Sequence, residues 1–586
     1  MVPQGVGPAR LGQLDGAAVG LMNPGLGDVS PVQTWLDISQ GARAFDSAYD
    51  ASLNKLFVTA DRLLGWETVE QRAAEVTATI RPGLLATTLA RNGLSMTSSE
   101  VAGNAAVIAA NRSGRLVRAP MCRTALCPWA VQVTRTSLAG AIAMANARRP
   151  QDLLMVIESP PAESGDQLSM AIAGPGFQGA LQSESTRTDG YVLSTDIAPT
   201  VLAHFGIEAP NAMTGLPLGS GGEVDFPGLR ELEGRYQEVG KRRGAALLLP
   251  LLIWMLTAAG AAAVTRGRLA RPAVKLLALS TVLLPAALLL TASFSPSLAV
   301  EQAVATVLPV LVAFCLLRLL PGYQSLAVAS MLTVGPYAID MLAGSVLTPK
   351  AVVGPNPGLG ARFYGIGNEL ESSLMILASV GTGAALTSWG VKLNQKQTAG
   401  VFLGVGLVCS VIFAAGRFGA DVGAAIIFPT AAVVAAAFVL GRPRLAWLAG
   451  LIALVSLILL ALGDSLTGGE SHYLRSLFDG SSGDSTLQVL THRIEETAAS
   501  FTRVSRLPVT LLAFALIALA FFRRELIESW LRPVPVLRAA LIAASIASVV
   551  GAASNDSGAL FIQVGVLFIG LVVGFCWAEA NETTDN

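Results

Sequence analysis

Gly244-Ala-Ala-Leu-Leu-Leu-Pro-Leu-Leu-Ile-Trp-Met-Leu-Thr-Ala-Ala-Gly-Ala-Ala-Ala-Val264 runs for 21 residues without a charge. As a helix it is about 31 Å long, the thickness of a bilayer's hydrocarbon core. Ten further apolar runs follow, starting near Leu276, Ala303, Ser325, Leu370, Thr398, Val422, Leu445, Leu507, Val534 and Ala559. The sequence therefore predicts an all-α membrane domain of about 11 transmembrane helices over residues 244–578, with a short tail at 579–586. Most connections are brief, and the long exception is the polar stretch Asp464–Arg506. Of the 586 residues, 52% are hydrophobic and only 14% charged, against roughly 25% charged in soluble chains. A purely soluble protein and a disordered one are both excluded. Net charge is zero and no basic run is long, so no nucleic-acid partner is expected. The expected partners are membrane lipids.

Loop charges set an orientation. With residues 1–243 outside, the inner loops carry thirteen Lys and Arg, from Arg266 to Arg538, while the short outer loops carry three, Lys350, Arg362 and Arg417. Lys241-Arg242-Arg243 dissents, since it falls outside just before the first span. The expected location is the plasma membrane, multi-pass, with the soluble half extracytoplasmic. Residues 1–30 hold no charged segment followed by an apolar one. Either the topology is inverted or the reading frame begins upstream of Met1, and the second is expected.

Residues 1–225 read as an α/β domain, joined by a linker at 226–243. Leu153–Ile157 and Met170–Ala173 have the short apolar form of buried strands, and Ser137–Ala147 that of a helix between strands. Thr195-Asp196 caps a helix with Ile197, Val201 and Phe205 on one face, ending at Gly206. His204, on the same helix, is expected in the core. Alternation of strands and helices predicts a mainly parallel sheet. Cys122 and Cys127 lie close enough for a disulfide in an exported domain, with two free thiols as the alternative.

Four stretches resemble the alkaline phosphatase superfamily. They are Pro82–Leu85 with Leu89–Leu94, then Leu153–Ile157, then Ala171–Gly176, and finally Thr195–Leu202 with Gly206 and Gly215–Leu218. The resemblance covers roughly residues 15–220. It implies an alkaline-phosphatase-like α/β domain, of the kind that binds two divalent metals through Asp and His ligands. The chain departs from that pattern. The strand ending at Ile157 runs into Glu158-Ser-Pro-Pro-Ala-Glu-Ser164 without an Asp-His pair, and His204 is the only histidine in this half. Glu158, Glu163 and Asp166 do not make up a two-metal set. A fold kept without its metals is therefore expected, a pseudoenzyme with no cofactor and no metal. The superfamily's first strand would precede Gly16–Leu21, so the domain is expected to lack it. Any remaining activity would be envelope phospho- or glycosyl-transfer.

Polar residues at span ends are costly and usually have a task. The clusters are Gly360–Glu369 with Glu371, then Gly416–Asp421, Thr491–Glu496 and Ser554–Gly558. All fall at outer span ends under the orientation above. The candidate substrate-binding residues are Arg362, Asn368, Glu369, Glu371, Arg417, Asp421, His492, Arg493, Asn555 and Asp556. Arginine forks suit phosphate or carboxylate, and the acids suit a cation or a base. Three uses remain open: arginine-to-acid braces at helix ends, as in a non-catalytic envelope scaffold; a site for a lipid-linked or anionic envelope substrate; and an ion path or the path of a transporter or flippase, with Asp340 on it.

Overall fold

A computed structural model describes residues 1–45, 53, 55–76, 79–120, 130–162, 165–389, 393–466, 500–503, 506–555 and 557–582. The chain divides into two units. Unit 1 comprises Met1–Gly240 and Asn356–Phe363, and unit 2 comprises Lys241–Pro355 and Tyr364–Asn586.

In unit 1 the strands are β1 Ala17–Asn23, β2 Phe57–Val58, β3 Leu63–Leu64, β4 Met96–Ser98, β5 Val117–Arg118, β6 Val131–Val133, β7 Leu154–Ile157, β8 Leu168–Ala173, β9 Gly179–Gln182, β10 Tyr191–Leu193 and β11 Gly219–Gly221. Its helices are α1 Pro8–Leu11, α2 Pro31–Gln40, α3 Trp66–Glu75, α4 Leu84–Arg91, α5 Leu138–Ala147 and α6 Ile197–His204. The main sheet runs β11-β9-β1-β8-β7, with β10 also on β1. Its central strand, β1, is apolar up to its last residue, Asn23, and buried from Ala18 onward. Successive side chains point to opposite faces. Ala18 and Met22 join one core with Trp35, Leu36, Leu85 and Leu89, and Val19 joins another with Leu11, Ala141 and Ala145. Helices thus cover both faces.

The sheet is mixed rather than mainly parallel. β1 pairs in parallel with β10 and β9, but β8 runs antiparallel to both β1 and β7, and β11 antiparallel to β9. Ten residues separate Ile157 from Leu168. That is too few for a crossover helix, so β7 and β8 fold back on each other. The expected strands and α5 are present, and Ser137 caps α5 by accepting from Gly140 N at 3.1 Å. His204 is exposed rather than in the core, because α6 buries Ile197, Ala198, Thr200 and Leu202 instead.

The stretch that joins the two halves is helical, part of α7 Phe226–Val264. Unit 2 continues with α8 Ala270–Thr291, α9 Leu298–Leu319, α10 Tyr323–Leu342, α11 Asn368–Ser388, α12 Gln395–Ala414, α13 Ala424–Val439, α14 Leu448–Leu466, α15 Leu507–Phe522, α16 Arg524–Leu531, α17 Pro535–Ser554 and α18 Gly558–Glu582. Every expected span falls on a helix. Among the described residues, however, eight helices are long and apolar enough to cross a membrane, or nine if α15 and α16, bent by 74°, count as one span. α13 has 16 residues, about 24 Å, which is short of a ~30 Å core. Central α11 packs on α10, α17 and α18, while small residues let other helix pairs approach closely, as where Gly406 of α12 meets Ala432 of α13. Large apolar side chains face outward on α7, α9, α12 and α15, among them Leu256, Leu311, Leu407 and Phe522. Without water-facing polar cover, such a surface suits lipid. The chain is a multi-pass membrane protein.

Candidate functional site

The main polar cluster of unit 2 is built where α11 begins. Asn368 and Asn555 exchange carboxamide hydrogen bonds, Asn368 Nδ2 donating at 2.9 Å and Asn555 Nδ2 returning one at 3.3 Å. Asn555 Nδ2 also donates to Glu371 Oε2 at 3.3 Å. Glu371 is fully buried and Asp421 nearly so. A Cβ at Gly423 would run into the Glu371 carboxylate, and Gly423 N donates to Asp421 Oδ1 at 3.0 Å. Ile366 N donates to Gly419 O at 3.2 Å, which ties the loop before α11 to the loop before α13. Four of the expected residues, Asn368, Glu371, Asp421 and Asn555, therefore come together.

The rest divide. Glu369 pairs with Arg243, Nη1 to Oε2 at 3.2 Å. Arg243 also donates from Nε to Val352 O at 2.9 Å and from Nη2 to Gly354 O. Its neighbour Arg242 pairs with fully buried Glu301 at 3.2 Å. Reading Lys241–Arg243 only as a basic flank missed both roles. The signal that could have found them is the presence of two acids, Glu301 and Glu369, each in the first turn of a span. Arg417 is exposed on the loop that leads to Asp421. Arg362 belongs to unit 1. Asp340 accepts from Leu347 N at 2.9 Å, Thr348 N at 2.8 Å and Thr348 Oγ1 at 2.6 Å, so it closes the turn after α10. His492, Arg493, Asp556, Cys122 and Cys127 lie outside the described residues.

Unit 1 has a second polar centre, at the carboxyl ends of parallel β1 and β10. Asn23, the last residue of β1, accepts from Arg43 Nη1 at 2.9 Å. Asp37 is fully buried and its Oδ1 accepts from Gln33 Nε2 at 2.8 Å and Gln40 Nε2 at 3.0 Å. Burial pushes its carboxyl up to about 8, against the pull of Gln33, Arg43, Arg72 and Gln40. Burial likewise raises Asp196, although four donors act on it: Ser183 Oγ at 2.7 Å, Ser185 Oγ at 2.8 Å, Leu216 N at 3.0 Å and Leu193 N at 3.1 Å. Asp196 thus ties α6 to the Gly215–Leu218 tail as well as preceding the helix. Glu158 accepts from Ser169 N at 3.1 Å and from Gly5 N. Its role there is structural.

No protein-family model, curated protein or solved structure matches the chain.

Proposed function

We propose that this is an integral plasma-membrane protein of a cell envelope that binds or processes a lipid-linked or anionic substrate at the outer face. Unit 1 is, on this proposal, a catalytically inactive domain of alkaline-phosphatase-like descent, and unit 2 crosses the membrane eleven times. The observation that carries it is the Asn368–Glu371–Asn555 network, half-buried at its two amides and fully buried at Glu371. Ionisable groups buried in membrane helices are costly and mark functional positions. Carboxamides and a carboxylate are groups that hold sugar hydroxyls. Exposed Arg417 supplies a fork for a phosphate.

Two observations favour the rest of the proposal. Arg242 and Arg243, the basic residues that count against the outward orientation, have a structural reason for their position, since they brace Glu301 and Glu369 in the first turns of α9 and α11. At the carboxyl end of β1, Asn23 accepts from a resident guanidinium, that of Arg43, which already places a cation at that edge. A transport path through Asp340 is disfavoured, because that carboxylate is engaged by its own turn.

The test is mass spectrometry of lipids that co-purify with the full chain in detergent. An anionic or sugar-phosphate lipid should accompany the wild type and be lost from Glu371→Gln and Arg417→Ala. Identical lipid profiles in all three would remove the substrate site. For orientation, an impermeant thiol reagent should label Ser297→Cys in intact cells and spare Asn394→Cys.

A further inference from the structure

Unit 1 contains a cavity of about 300 Å³ that is lined by none of the residues of its Asn23–Asp37–Asp196 centre. Pro31 and Trp35 of α2 meet there Ala102 and Ala105 of the 3₁₀ segment Glu100–Ala109. Arg135 and Ser159, which lie just past the carboxyl ends of β6 and β7, complete the wall. Loops at strand carboxyl ends are the ordinary ligand-binding edge of an α/β sheet.

The chemistry of the wall is one-sided. Arg135 has no carboxylate partner among the described residues, and its Nη2 reaches the Ser159 hydroxyl at 3.5 Å, the far limit of a hydrogen bond. Among the described residues no Asp or Glu lines the cavity, and no second Arg or Lys does. Met1 borders it, but its amine, lowered to about 6 by burial and by Arg135, is mostly neutral at pH 7. Trp35, only 3% exposed, offers a flat apolar face and an indole N–H that can only donate. A planar carboxylate takes two parallel N–H bonds from one guanidinium and brings a single charge. A phosphate ester brings nearly two at pH 7, and one would go unmatched here. The volume is at the small end for ligand pockets, and Pro31, Ala102 and Ala105 keep it apolar. We propose that this cavity binds a small organic monocarboxylate, its charge on Arg135 and its ring or short chain against Trp35. The site is independent of the Asn368–Glu371–Asn555 cluster and of the role given to it.

Fluorine NMR of the full chain in detergent tests it, with para-fluorobenzoate as the probe, para-fluorobenzamide as its neutral counterpart, and empty micelles as background. The acid should bind saturably, and the amide about tenfold more weakly. Arg135 is exposed, so Arg135→Ala should keep the fold and weaken the acid by about tenfold while leaving the amide unmoved. Ala105→Leu takes up cavity space but keeps the guanidinium, and it should abolish binding of both. Unchanged binding of the acid in either variant overturns the site. Equal binding of acid and amide to the wild type overturns its carboxylate chemistry. An acid that fails to bind saturably at millimolar concentration overturns the proposal outright. If Ala105→Leu does not accumulate, amide exchange locates the site instead: it should slow in 100–105 when the acid is added, and unchanged exchange there overturns the assignment.

Discussion

Arg243 and Glu369 meet at 3.2 Å with about a quarter of each side chain exposed, and the pair joins α7 to the first turn of α11. A partly exposed pair is worth at most ~1 kcal/mol. The carbonyls of Val352 and Gly354 add two hydrogen bonds that only a planar fork reaches together. Arg243→Lys should therefore lower stability by about 1–2 kcal/mol, and Glu369→Gln by less. Thermal unfolding of the purified chain measures both. The exchange Arg243→Glu with Glu369→Arg should not rescue, because the two carbonyls stay unmatched.

Asn368 and Asn555 bond reciprocally across 187 residues of sequence. Each single change to Ala should cost about 1 kcal/mol, and the double change less than the sum. A double-mutant cycle with strictly additive losses would show that the two amides do not act together.

Arg417 is exposed, so Arg417→Ala should shift stability by less than about 0.5 kcal/mol while abolishing lipid retention. The exchange Arg417→Asp with Asp421→Arg should fail to fold normally. Position 421 is buried and its carboxylate accepts from Gly423 N, so an arginine there would be an uncompensated buried charge. Full rescue would restore the brace as the role of both residues.

Asp37 gives a pH signature. Its folded pKa, pushed to about 8 from the ordinary 3.8, lies above the unfolded value, so ionisation opposes folding. The penalty is absent below the unfolded pKa, grows as pH rises, and is complete above the folded one. Asp37→Asn keeps an acceptor for Gln33 and Gln40 and removes the proton. Between pH 5 and 9 the wild type's melting temperature should fall, and that of Asp37→Asn should stay flatter. Parallel curves would place the titration elsewhere.

Helix positions in unit 2 follow from uncharged runs, because a bilayer demands them. The number of crossings does not, since α13 is as apolar as its neighbours and merely shorter. In unit 1, β7, β8 and α5 could be read from their apolar runs, whereas strand direction depended on the brief link between Ile157 and Leu168. Asn368, Glu371 and Asn555 stood out as polar breaks at span ends. Arg43 did not, because a single arginine after a helix has no spacing to mark it. Only its placement on Asn23 gives it a role.

Unit 1 is discontinuous in the chain, and this fixes an order of assembly. The Tyr191 hydroxyl and its acceptor Pro357 are 166 residues apart, and α7 through α10 are synthesised between them. The ribosome thus releases Met1–Gly240 long before Asn356–Phe363 exists. Until then Arg43 and Tyr191 lack their final partners, and contacts so distant in sequence form late and slowly. Four helices must be placed in the membrane before the domain that precedes them can finish folding. A chain cut short at Gly240 would stop at that intermediate stage.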